Sequence, residues 1–110
     1  MAGLAGFFGH VEISRLLLQY RADSNVQDQY GRTPLKVASD QGHVNVAQLL
    51  LEHDANVNAR DHSPNTSLNS TSEGGYPEVA RPLVDHGANI DADDCNGRTA
   101  FQVASKERTL

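Results

Sequence analysis

The chain has 110 residues, of which 38% are hydrophobic but only 5% aromatic, with no tryptophan. That excludes one compact core built of large side chains and suits many small, similar layers. A formal net charge of -5, from 9 basic and 14 acidic residues with no run of Lys or Arg, argues against a general nucleic-acid binder and against a polybasic membrane contact.

A period of about 33 residues runs through the chain. Gly9-His10-Val11 recurs as Gly42-His43-Val44, and Leu16-Leu17-Leu18 recurs as Leu49-Leu50-Leu51. Ala22 maps to Ala55 and Ala88, Asp28 to Asp61 and Asp94, and Gly31-Arg32-Thr33 returns two periods later at Gly97-Arg98-Thr99. The organisation expected is one domain over 1–110: a partial repeat 1–27, a repeat 28–60, a degenerate repeat 61–93 and a partial repeat 94–110.

In chain order, the first unit lacks the turn ahead of its first helix, since Met1 aligns with Pro34. Met1–Phe8 is apolar but short, carries no basic leader and is followed by Gly9, His10 and Glu12, so no signal peptide is expected. The second unit is the clearest. Tyr30-Gly31 is a turn, Thr33 a helix N-cap and Pro34 the first helical residue, with a short helix through Leu35, Val37 and Ala38 to about Gln41, stopped by Gly42. A second helix from about Val44 to Glu52 is apolar on two sides, as Val46, Leu49 and Leu50 and as Val44, Ala47 and Leu51, and so needs neighbours on two sides.

The third unit is the weak layer. Ser70 and Thr71 stand where Val37 and Ala38 do, and polar groups at close-packed positions are costly unless hydrogen-bonded. Pro82, at the Leu49 position, falls inside the second helix, with a penalty of about 3 kcal/mol. The segment 63–82 is expected to be the most mobile, while Leu83 is expected to match Leu16 and Leu49 in their adjoining layers. The fourth unit reaches Leu110, at the register of Val44. Apolar Phe101 and Val103 at this end point to a fragment of a longer array, with a genuine short protein with frayed ends as the alternative.

Gly31-Arg32-Thr33-Pro34-Leu35-Lys36-Val37-Ala38 resembles the ankyrin signature T-P-L-H-x-A, with Lys36 in place of the usual His. Gly42-His43, Leu49-Leu50-Leu51 and Ala55-Asn56-Val57-Asn58-Ala59 are also similar to that family's pattern. The resemblance implies an all-α solenoid of stacked helix-turn-helix units joined by β-turn or hairpin loops. It implies a protein-binding role, on a concave surface of turn tips and first helices. By position that surface comprises Phe7 and Phe8, Gln29, Tyr30, Arg32, Asp40, Gln41 and Arg60, then His62 and Asn65, then Asn96 and Arg98. Aromatic residues and Arg are the favoured anchors, which puts Tyr30, Arg32 and Arg98 first. The Asn58 position resembles the asparagine such repeats can offer to an intracellular asparaginyl hydroxylase, with an incomplete match to the preferred acidic residue; a loop asparagine with a structural role is the stronger expectation.

No chemistry competes with that reading. His10 and His43, like His53 and His86, are one period apart, roughly 10 Å in stacked layers and too far to share a zinc ion. Asp61-His62-Ser63 are consecutive loop residues and cannot form a catalytic triad. The single cysteine, Cys95, cannot make an internal disulfide and fits a reducing compartment. The expectation is a non-enzymatic module without cofactor or metal, cytoplasmic or nuclear, binding another protein and neither nucleic acid nor membrane. It would serve as part of a larger scaffold or sensor, with an enzyme inhibitor or a partnerless spacer as alternatives.

Overall fold

The computed structural model describes residues 2–106, with side chains from His10 onward. Six helices follow in chain order: α1 Ala2–Gln19, α2 Pro34–Gln41, α3 Val44–Glu52, α4 Ser67–Gly74, α5 Pro77–Asp85 and α6 Ala100–Ser105. Helices α2 and α3 pair as one hairpin and α4 and α5 as the next. The hairpins stack into two rows. First helices run α2, α4, α6 and second helices run α1, α3, α5, each packed on its neighbour in the row. No strand occurs among the described residues; the turn at the head of the fourth unit is closed by one antiparallel bridge between Asp93 and Thr99.

Each first helix begins the same way. Thr33, Thr66 and Thr99 sit in extended backbone and accept a hydrogen bond from the N–H three residues on, which satisfies a donor that the helix start leaves open. Each second helix ends the same way. Arg21, Asp54 and Gly87 all have positive φ, and the N–H groups of Ala22, Ala55 and Ala88 bond the carbonyls of Leu17, Leu50 and Leu83 at 3.0, 3.1 and 3.0 Å. These three bonds fix the register. Leu83 therefore stands with Leu17 and Leu50, and Pro82 with Leu16 and Leu49. The sequence expectation that grouped Leu83 with Leu16 and Leu49 is corrected by one residue.

The core follows from the stacking. Leu50 and Leu83 are 4% and 0% exposed, whereas Leu17, with no complete layer before it, is 53% exposed. Leu18 and Leu51 are buried toward the layer that follows them, while Val84 at the same register is exposed. Each layer is thus apolar on two faces, and each face is covered by a different neighbour.

Two features depart from the repeat pattern. Helix α1 runs through Gly9, whereas its counterpart Gly42 ends α2 in a left-handed cap. In the third unit the polar substitutions are accommodated. Thr71 Oγ1 and Ser72 Oγ donate to the Leu68 carbonyl at 2.9 and 3.0 Å, and Asn69 Nδ2 donates to the Ala92 carbonyl at 3.1 Å. Pro82 lies inside α5, which continues through it.

Candidate functional site

The turn tips are built by one device repeated three times. Asp28 Oδ1 accepts the N–H of Tyr30 and of Arg32, Asp61 Oδ1 that of Ser63 and of Asn65, and Asp94 Oδ1 that of Asn96 and of Arg98, all at 2.8–2.9 Å. These bonds favour the ionised carboxylate. The Arg32 N–H chiefly holds Asp28 below the usual carboxylate range, and the Arg98 N–H does the same for Asp94. For Asp61, burial is the largest influence and pushes upward; the N–H groups of Asn65 and Ser63 and the Lys36 ammonium together outweigh it.

Side chains then tie the tips to one another. The Arg32 Nε bonds Asp28 Oδ2 at 2.9 Å while its guanidinium lies 5.1 Å from the Tyr30 ring centre. The His62 N–H reaches the Tyr30 carbonyl at 3.0 Å, and its ring lies against Gly31, where an added Cβ would come within 2.4 Å of it. Asn65 Oδ1 accepts the Cys95 N–H at 2.9 Å. Arg60 Nη1 donates to the carbonyls of Pro64 and Asp93 at 2.8 and 2.9 Å, bracing the end of the second unit against the start and the end of the third. Earlier in the same connecting loops, Asn25 Oδ1 receives the Asn56 N–H and Asn58 Oδ1 receives the Asn89 N–H, both at 2.7 Å. Asn58 Nδ2 also donates to the Gly87 carbonyl at 3.3 Å. Asn58 is therefore a rung in a ladder between layers.

Between the tips and the first helices lies a groove of about 430 Å³. Asp40, Asn65, Asn96 and Arg98, four of the residues selected from the sequence, line it together. Lys36, Asn69, Glu73 and Cys95 line it as well. Lys36 is nearly buried, with Nζ 2.7 Å from Asp40 and 3.2 Å from Asp61 of the next layer. Arg98 Nη2 is 3.0 Å from Asp94 and 3.6 Å from Glu73. The groove wall is thus a set of fixed charges of both signs, set by pairs that span adjacent repeats.

The other selected residues lie elsewhere. Gln29 and Tyr30 are exposed at the second tip, and His62 is exposed beside them. Arg32 and Gln41 line a different groove, at the N-terminal end of the stack. Arg60 is committed to bracing. Phe7 and Phe8 belong to α1, but their side chains fall outside the described residues. Lys36 was missed as a lining residue, although its place at the usual His of the signature was the available signal.

Among the described residues no group of three or more His, Cys, Asp or Glu gathers as a metal site would require. No described helix is long and apolar enough to cross a membrane. No curated protein matches the chain significantly. The family model for ankyrin repeats in three copies matches residues 3–61, over half of the chain, and its match ends where the degenerate third unit begins. With that match and the stacked helical hairpins, the chain belongs to the ankyrin-repeat family, whose members are in general protein-protein interaction modules.

Proposed function

We propose that the chain binds a folded or extended protein partner along the face that carries the turn tips and the 430 Å³ groove, as one module of a larger cytoplasmic or nuclear scaffold or sensor. The observation that supports this reading is the convergence of Asp40, Asn65, Asn96 and Arg98 from three successive layers on one groove. Tyr30, exposed and stacked with Arg32, supplies an aromatic anchor at the edge of the same face. The reading assigns the face binding rather than catalysis.

The test is affinity capture with the intact chain, followed by titration of the captured protein against Tyr30→Ala and Asn96→Ala variants. Both side chains are exposed, so the fold should survive. The reading predicts a loss of at least about tenfold in affinity for one of them. Unchanged affinity for both would place the binding surface elsewhere.

A further inference from the structure

The third turn tip differs from the other two in chemistry and in closure. Ser63 stands at the register of Tyr30 and Asn96, and Pro64 at that of Gly31 and Gly97. The Gly31 and Gly97 N–H groups close their tips onto the carbonyls of Asp28 and Asp94, each at 3.0 Å. Pro64 has no N–H to make that bond. A proline also biases the residue before it toward extended backbone. Ser63 thus precedes a proline on a tip with one closing bond fewer than its neighbours.

The chain has 4 prolines, and two of them follow a serine or threonine, as Thr33-Pro34 and Ser63-Pro64. The fold treats the two pairs differently. Thr33 is 4% exposed, and its hydroxyl oxygen is taken by the Lys36 N–H at 3.2 Å as the cap of α2. Ser63 and Pro64 are both exposed. The Ser63 backbone N–H is bonded to Asp61 Oδ1 at 2.9 Å, but its hydroxyl makes no hydrogen bond among the described residues. The tips on both sides of it are in place. The His62 N–H meets the Tyr30 carbonyl on one side, and Asn65 Oδ1 meets the Cys95 N–H on the other. Repeats stacked beyond those two would not reach Ser63.

We propose that Ser63 is a phosphate acceptor for a protein kinase of the proline-directed class, which takes proline in the place after its target hydroxyl. Ser63 Oγ attacks the γ-phosphorus of a nucleoside triphosphate, and the bond from that phosphorus to the bridging oxygen breaks. The nucleoside diphosphate leaves, and the hydroxyl proton passes to the catalytic carboxylate of the kinase. The product adds about -1.5 to -2 charges at neutral pH, beside the Asp61 carboxylate and at the middle of the three tips. The consequence rests on the reading that this face binds a protein; the acceptor site does not. Between Tyr30 and Asn96 the phosphate falls inside the contact, where like-charge repulsion and desolvation oppose binding. Modification of Ser63 therefore releases the partner.

The test treats the intact, folded chain with magnesium, ATP and a purified proline-directed serine/threonine kinase, and locates phosphate by peptide mass spectrometry. A single phosphate is expected, on Ser63, with Thr33 unmodified. Ser63→Ala should take none, and Pro64→Ala should lose at least about tenfold in initial rate; circular dichroism checks that both variants keep their helices. A native chain that stays unmodified while the same kinase labels a control substrate overturns the proposal. So does phosphate on Thr33 with none on Ser63, or an undiminished rate in folded Pro64→Ala. The captured partner is then titrated with the fully phosphorylated chain, for which the affinity should fall at least about tenfold. Unchanged affinity overturns the release. Failure of both Tyr30→Ala and Asn96→Ala to weaken binding strikes the binding reading instead, and leaves the labelling result to decide the acceptor site.

Discussion

Lys36 shows how one side chain can join two layers. Its ammonium is withdrawn from solvent and faces Asp40 of its own helix and Asp61 of the next turn. Removing Asp61 takes from this nearly buried ammonium the one carboxylate that comes from the next layer. Asp61→Ala should therefore cost about 3 kcal/mol in denaturant unfolding, and more than Asp28→Ala, whose carboxylate holds only its own exposed turn. Equal losses would show that Lys36 contributes nothing across the layers. The same aspartates set the acid response. Asp28, Asp61 and Asp94 have folded pKa values below the ordinary 3.8. Their contribution is fully present above that value and is lost as pH falls through the lowered folded values, because the unfolded chain then binds protons first. The unfolding midpoint should fall on acidification through this range, and Asp94→Asn, which keeps an acceptor oxygen but cannot ionise, should lessen the fall. A midpoint that rises on acidification through the same range would contradict this assignment.

At the scale of the element, α5 carries the main conflict between sequence and structure. Pro82 lies within the helix, where it has no N–H to give the Glu78 carbonyl. Pro82→Leu restores that bond and the residue found at Leu49, and should stabilise the chain by about 2 kcal/mol. Amide exchange should be faster across Pro77–Asp85 than across Val44–Glu52 in the native chain, with the difference reduced in the variant. Equal protection in the native chain would mean that stacking fully offsets the proline. The bounds of α2 and α3 were legible because Thr33, Pro34 and Gly42 are local signals that act through backbone geometry. The accommodation of Thr71 was less legible, because the Leu68 carbonyl that accepts its hydroxyl comes within reach only once α4 has formed. The left-handed residues Arg21 and Asp54 were hidden by their side chains, although Gly87 at the same register marked the position. The groove was legible in part. Asp40, Asn65, Asn96 and Arg98 follow from repeat position, whereas the burial of Lys36 depends on Asp61 arriving from the neighbouring layer.

At the scale of the whole molecule, stability is a property of the interfaces between layers more than of any layer. Identical residues at identical register should then differ in worth according to whether a neighbour covers them. Leu17, Leu50 and Leu83 provide this comparison, sharing one backbone hydrogen bond and differing in exposure. The most direct test is equilibrium unfolding of Leu17→Ala, Leu50→Ala and Leu83→Ala at a concentration where the chain is monomeric. Stacked layers predict a loss of roughly 2–5 kcal/mol for Leu50→Ala and for Leu83→Ala, and less than about 1 kcal/mol for Leu17→Ala. Three equal losses, or the largest loss at Leu17, would contradict the account.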